Sequence, residues 1–159
     1  MSGIIDTVGS KSGIVGSDVY PAGHVLQIRS TTLTTETSYS STSFEDTFMT
    51  YTITPKFSSS NILVYMHTLS GNNSASESHY SKFEVNRIIT GGATTTLSGE
   101  WHGDRVYYGR VPIIINRADS PATTSEITYT LRIKRVTSSV NYLGLDGTNS
   151  FISLTEVAT

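Results

Sequence analysis

Apolar and polar residues alternate along much of the chain, which is the period of a β-strand with one buried face. Over Phe48 to Thr54, the side chains of Met49, Tyr51 and Ile53 fall on one face and threonines fall on the other. The segment from Ile127 to Lys134 alternates in the same way. Because no apolar stripe recurs at the 3.6-residue period of a helix, the pattern predicts an all-β protein.

Two segments, Ile62 to Leu69 and Val111 to Ile115, are apolar on both faces. The first of these segments is expected in the middle of the structure. Pro112 has no amide hydrogen, so we expect the second segment at a sheet edge or a bulge. The surplus apolar surface would be covered either within one sandwich or by neighbouring subunits. His67 is expected to be a core or interface histidine and not a catalyst.

Glycine-containing turns predict two hairpins. Gly91-Gly92 separates Arg87 to Ile89 from Thr94 to Leu97, and Asp146-Gly147 separates Val140 to Leu145 from Ser150 to Val157. Glycine supplies the positive φ angles that tight hairpin turns require. We therefore expect each turn to join two paired strands.

Short strands recur about every ten residues, and no linker divides them. This spacing predicts a single antiparallel β-sandwich, jelly-roll-like, over residues 23–159. Residues 1–22 are predicted to form an extended N-terminal arm in front of it.

The predicted arm contains a short repeat, because Ser2-Gly3-Ile4-Ile5 recurs ten residues later as Ser12-Gly13-Ile14-Val15. Apolar pairs separated by glycine and serine build neither a helix nor a continuous strand. A disordered leader fits the same residues equally well. If the segment is an arm, Ile4, Ile5, Ile14 and Val15 are the residues that we expect to contact a partner.

Composition excludes several functions. The 159 residues include 24 serines and 24 threonines, whereas charged residues make up 15% and the net charge is -2, so we expect no nucleic-acid partner. The chain has no cysteine, which excludes disulfides and thiolate metal sites. Apolar runs are far shorter than the roughly 20 residues of a membrane helix, so we expect no membrane insertion. No secretory signal is visible at the N-terminus.

One polar group could hold a cation. Glu100, His102 and Asp104 alternate and would project from one face of an extended segment, as ligands of a divalent ion do. A solvated polar edge is the favoured interpretation, and we predict no metal, no cofactor and no catalytic residues. A carbohydrate-active enzyme ranks last, because a glycosidase needs two carboxylates across a cleft.

Trp101, Tyr107 and Tyr108 cluster near Arg105 and Arg110. Such aromatic groups occur at protein interfaces, at sugar-stacking sites and in ordinary packing at a sheet rim. We favour an interface over a sugar site, since few planar polar groups lie nearby. Ordinary packing at a sheet rim, without any function, fits the sequence as well as the interface and the sugar site combined.

Three stretches resemble small structural proteins of tailed bacteriophages. They are the opening repeat in residues 2–15, the run Thr52 to Lys56 followed by Ser58 to Val64, and the ending Ile152 to Val157. The resemblance implies a β-rich, commonly trimeric protein of the virion surface, assembled in the host cytoplasm.

Within that group, we rank a homotrimeric capsid decoration (cement) protein first, bound to the major capsid protein. The alternative is a tail-fibre or receptor-binding tip that recognises the host surface, where a glycan could be the ligand. No shaft repeat or tail-anchoring domain is visible in the sequence, which disfavours a whole tail fibre.

Overall fold

The computed structural model describes residues 20–71, 78–97, 101–102, 106–107, 110–137, 140–144, 147 and 149–159. The described residues form thirteen β-strands and no α-helix. The strands are β1 Val25–Leu33, β2 Thr37–Tyr39, β3 Glu45–Ile53, β4 Asn61–Gly71, β5 Ser78–His79, β6 Ser81–Ile89, β7 Thr94–Thr96, β8 Trp101–His102, β9 Val106–Tyr107, β10 Arg110–Asp119, β11 Ile127–Arg135, β12 Asn141–Leu143 and β13 Ser150–Val157. Within these ranges, no helix is long and apolar enough to cross a membrane.

Sheet A contains six strands, with β4 in its middle. β4 pairs with β10 along one side and with β13 along the other, and β1 pairs with β13, every pair being antiparallel. Pro112 lies on β10, whose described pairing is with β4 alone. The predicted positions of the Ile62 to Leu69 strand and of the proline-containing edge strand are therefore confirmed.

The predicted hairpin at Asp146-Gly147 is wrong. β12 and β13 both pair antiparallel with β4, on the same side of it, so they run in one direction as two parts of an interrupted strand. Gly144 lies at the interruption with a φ of +72°, and its amide donates to Leu69 O at 2.9 Å. A Cβ at this position would collide with the carbonyl oxygen of Thr35, so the interruption requires glycine.

Sheet B contains β3, β11, β6, β7 and β8, with β11 between β3 and β6. The hairpin predicted at Gly91-Gly92 is confirmed, since β6 and β7 pair with Ile88 opposite Thr94. Gly91 has a φ of +76°, and the Gly92 amide donates to Ile89 O at 2.8 Å to close the turn. A separate short ladder joins β5 to β9.

The two sheets enclose one hydrophobic core. The inward residues of β11 are fully buried, as the alternation predicted, and Met49 and Ile53 of β3 lie beside them. Sheet A contributes the inward side chains of β4, β10 and β13, among them Val64 and Ile152. The all-β, two-sheet antiparallel fold class is thereby confirmed. The predicted arm at residues 1–22 lies almost entirely outside the described residues, so that boundary stays a prediction.

A buried polar contact joins the sheets at one end. Asp119 of β10 accepts hydrogen bonds from Arg87 Nη1 of β6 at 2.7 Å and from the Tyr129 hydroxyl of β11 at 2.7 Å. Burial, and then the hydrogen bond to the Asp119 carboxylate, raise the pKa of Tyr129 well above its ordinary range. These contacts tie β10 of sheet A to β6 and β11 of sheet B.

Candidate interaction face

The outer face of sheet A presents three rows of residues across β10, β4, β13 and β1. The strand registers place the members of each row directly side by side. The rows are Ile114, His67, Phe151 and Thr32; Asn116, Tyr65, Ser153 and Ser30; and Ala118, Leu63, Thr155 and Ile28. We call these twelve residues the uncharged face, because none of them is Asp, Glu, Lys or Arg.

Large apolar side chains of the uncharged face are open to solvent. Ile28 and Ile114 are 62% and 61% exposed, and Leu63 and Tyr65 are 42% and 37% exposed. The ring of Tyr65 lies against that of Phe151, with their centroids 6.1 Å apart. Tyr65 lies two residues after Leu63 on β4 and contacts Phe151, whereas Thr155 separates Ile28 from Leu63. Exposed clusters of apolar side chains of this kind usually mark a site of protein contact.

A β-bulge places Ile28 on this face. Val25 pairs with Val157 and Gln27 pairs with Glu156, so Leu26 is the extra residue in β1. Leu26 is 8% exposed, whereas Ile28, after the bulge, turns outward beside Thr155. Without the bulge, strict alternation would put Leu26 and Ile28 on the same side of the sheet.

Glu156 fixes the geometry around the bulge. Its side chain is fully buried, and its Oε2 accepts a hydrogen bond from Gln27 Nε2 at 2.6 Å. Its Oε1 accepts from the backbone amides of Lys56 and Phe57 at 2.7 and 3.2 Å. One carboxylate therefore ties β1, β13 and the turn between β3 and β4 together. It also joins two of the stretches that carry the bacteriophage resemblance.

The outer face of sheet B has a different chemistry. Arg132 lies between Glu84 and Asp46, with Nη1 2.6 Å from Glu84 Oε1 and Nε 2.8 Å from Asp46 Oδ1. The hydroxyls of Thr50 and Thr130 are hydrogen-bonded at 2.9 Å. We call this surface the polar face.

Further polar side chains of this face also make contacts within the chain. Thr96 donates to Asn86 Oδ1 at 2.9 Å, and Arg132 Nη2 donates to the carbonyl oxygen of Phe44 at 2.7 Å. Lys134 Nζ lies 4.4 Å from the centroid of the Phe44 ring. These polar groups of the face therefore have partners within the chain itself.

The structure leaves most of the predicted site residues untested. Ile4, Ile5, Ile14, Val15 and Tyr108 lie outside the described residues. Trp101 belongs to β8, which pairs with β6 in sheet B, whereas Tyr107 belongs to β9, which pairs with β5. Their backbones thus lie on separate ladders, and their role as interface aromatics stays a prediction.

The suggested cation ligands are likewise untested, because Glu100 and Asp104 fall outside the described residues and only the backbone of His102 is described. Among the described residues, no three His, Cys, Asp or Glu side chains come together in a way that could hold a metal ion.

Sequence reasoning identified two strands of the uncharged face but missed two of its residues. The doubly apolar segments contain Leu63, Tyr65 and Ile114, which is why a surplus of apolar surface was expected. Ile28 follows Val25, Leu26 and Gln27, and Phe151 directly precedes Ile152, so the local pattern does not show that either side chain faces outward. Only the registers of β1 and β13 bring them to the same surface.

No family model and no curated protein matches the sequence. Three solved structures of infectious bursal disease virus have a similar fold: the Gx strain at 11% identity with a TM-score of 0.45, the VP2 protein in derived T=1 particles at 10% and 0.46, and the T13 viral particle at 9% and 0.45. The matches cover 85%, 92% and 96% of this chain but only 38%, 40% and 42% of those chains. The chain thus spans about two-fifths of their length, and the likeness concerns the fold alone.

Proposed function

We propose that this chain is a non-enzymatic structural protein of the virion surface, a homotrimeric capsid decoration protein that binds the major capsid shell. The observation that carries the proposal is the contrast between the two outer faces. A sandwich that satisfies its polar groups on one side and presents uncharged apolar rows on the other is suited to binding a protein surface.

The bacteriophage resemblance supports the same proposal. Two of its stretches meet at Glu156, where they hold the strands that carry the uncharged face. These stretches therefore have a physical role in building that face. The third stretch contains the apolar pairs of residues 2–15, which we propose as an additional contact to a partner virion protein.

The arm contact follows from energetics. Burying one Ile or Val side chain is worth roughly 1.5 to 3 kcal/mol before the entropy of ordering the segment is subtracted. The ordering entropy would largely offset the free energy gained by burying one apolar pair. Burial of both pairs, Ile4 with Ile5 and Ile14 with Val15, would be enough to bind the segment to a partner. Many copies on one particle would then bind through repeated weak contacts.

Electron microscopy of intact particles tests the location. Density for the sandwich at many sites over the head is the expected result. A few copies at the tail would favour the receptor-binding tip instead, with a host-surface glycan as its candidate ligand. Particles that lack the chain altogether would contradict both.

A deletion tests the arm. A chain lacking residues 2–17 is expected to fold and to self-associate as the full chain does, but to lose its attachment to particles. Melting temperature and light scattering provide the controls for folding and association. If the shortened chain binds particles at full occupancy, the sandwich itself carries the attachment and the arm contact is wrong.

A further inference from the structure

We propose that copies of this chain contact one another through the uncharged face of sheet A. The inference rests on the proposed self-association but not on three copies, because one face that packs on its own copy joins chains in pairs about a twofold axis. It commits to a second copy of this chain as the occupant of that surface.

The size of the face fits the centre of an interface. Four strands spaced about 4.8 Å apart and three rows spaced about 6.8 Å apart cover roughly 19 Å by 20 Å. Standard interfaces bury about 800 Å² on each partner, with an apolar centre inside a polar rim. At roughly 380 Å² the uncharged face is about half of that area, which fits the centre of such an interface and leaves the rest to surrounding residues.

Charge favours a copy of the same face over the other described face as the occupant. Covering the uncharged face with the polar face of another copy would place Arg132, Glu84 and Asp46 against Ile114 and Leu63. Desolvated charges without new partners cost several kcal/mol. Two uncharged faces bring no charged side chains together, since none of their residues is Asp, Glu, Lys or Arg.

The shape of a sheet allows this pairing. Two sheets with the same right-handed twist pack face to face about 10 Å apart, with their strands about 30° from parallel. In that arrangement the exposed Ile28, Leu63 and Ile114 can interdigitate with the same residues of the next copy. The ring pair of Tyr65 and Phe151 adds a rigid aromatic contact at the middle of the face.

The test compares matched substitutions in the full-length chain. Ile114→Asp places a carboxylate on the uncharged face at a position that is 61% exposed, so the single chain should still fold. Thr52→Asp places the same group on the outer face of sheet B, on β3. Light scattering at micromolar concentration should give the wild type and Thr52→Asp a multiple of the 17.2 kDa chain mass, and Ile114→Asp the mass of one chain. The expected weakening of association by Ile114→Asp is at least about 100-fold.

A milder variant covers the case in which Ile114→Asp does not fold. Leu63→Thr combined with Ile114→Thr places a β-branched side chain, which suits a strand, at both positions while removing the apolar contacts. Circular dichroism and a cooperative melt establish that each variant is folded. The double variant should also have the mass of one chain at the concentration at which the wild type is associated.

Three results would overturn the inference. The first is an associated, folded Ile114→Asp or double threonine variant. The second is a monomeric wild type, and the third is a wild type that associates only through residues 2–17, so that their deletion yields monomers. The proposed function fails under a different result. If the chain associates through this face but is absent from particles, the inference holds and the virion role is wrong. If the chain is monomeric but decorates particles, the virion role holds and the inference is wrong.

Discussion

Arg132 on the outer face of sheet B is surrounded by partners, whereas Ile114 on the outer face of sheet A extends into solvent. Both residues lie in the middle of long antiparallel strands. The first contacts Glu84, Asp46 and the Phe44 carbonyl, and the second is 61% exposed. The outer surfaces of the two sheets thus have similar geometry but differ in whether a central side chain has contacts within the chain.

The contrast separates residues that stabilise the fold from residues available for contact. Glu84, Asn86 and Thr130 lie on the outer side of sheet B and are nevertheless buried, each with a hydrogen-bond partner. Removing a partner there should lower the free energy of unfolding. On the uncharged face the same kind of change should alter association and leave folding almost intact.

Arg132→Ala should lower the free energy of unfolding by about 3 kcal/mol, because it leaves the Glu84 carboxylate buried without its ion-pair partner. Solvent screening at the Arg132 side chain, which is 25% exposed, keeps the effect at the low end of the range for a broken buried ion pair. Urea denaturation measures the effect. Arg29→Ala, at an exposed arginine of β1, is the control and should change it by less than about 0.5 kcal/mol. Equal effects of both changes would remove the special role of the polar face.

Tyr129→Phe should change how stability depends on alkaline pH. The pKa of Tyr129 is raised in the folded state above its ordinary value of 10.0. The raised pKa therefore contributes its full stabilisation of the folded state below pH 10. Above pH 10 this stabilisation falls by about 1.4 kcal/mol per pH unit. At neutral pH the wild type should be more stable by about 1 kcal/mol through the Asp119 hydrogen bond.

Urea denaturation of both proteins from pH 8 to pH 11 provides the measurement. The stability difference between wild type and Tyr129→Phe should shrink above pH 10. A difference that stays constant over the whole range would contradict this account of the contact between the sheets.

Thr130→Val should cost about 1 kcal/mol, because it removes the hydrogen bond to Thr50 from a buried position on the polar face. Thr155→Val makes the same change on the uncharged face, where Thr155 is half-buried, and should cost less than about 0.5 kcal/mol. Thermal melts of the two variants compare the faces directly. A larger cost for Thr155→Val would reverse the assignment.

Ile114→Ala should have the smallest effect, a change in unfolding free energy below about 0.5 kcal/mol when measured at a concentration too low for association. Its neighbour Ile115 points inward and is 3% exposed, so Ile115→Ala should cost about 2 to 4 kcal/mol. The pair checks that β10 has one structural face and one free face. Similar costs at both positions would show that Ile114 supports the fold.

The sequence predicts this fold well wherever one strand determines its own orientation. Alternation alone identified the buried side of β11, and Gly91-Gly92 correctly indicated a hairpin, since both signals are local. Asp146-Gly147 failed because a turn-forming pair does not specify which strand its neighbours will join. Here β12 and β13 both pair with β4 along one side of that strand and, among the described residues, do not pair with each other.

The candidate face was harder to predict because it depends on contacts between distant residues. Ile28 faces outward only because of the bulge at Leu26, and the bulge is held by Glu156, which lies 129 residues after Gln27. No periodicity in β1 could reveal this. By contrast, the apolar surplus in β4 and β10 was visible as unbroken runs, and it correctly indicated that these strands had more apolar surface than one core would use.

In the assembled protein we expect the uncharged face to be covered and the polar face to stay in contact with solvent. The chain has no cysteine, so Ile114→Cys and Thr52→Cys each introduce a single thiol, one on the outer side of each sheet. The rate of maleimide labelling of the assembled protein measures whether each thiol is accessible. We predict slow labelling of Ile114→Cys that becomes fast on dilution to single chains, and a labelling rate of Thr52→Cys, at a half-buried position, that is the same under both conditions. If Ile114→Cys is labelled as fast in the assembled protein as in single chains, the uncharged face is open to solvent and the proposed contact between copies is wrong.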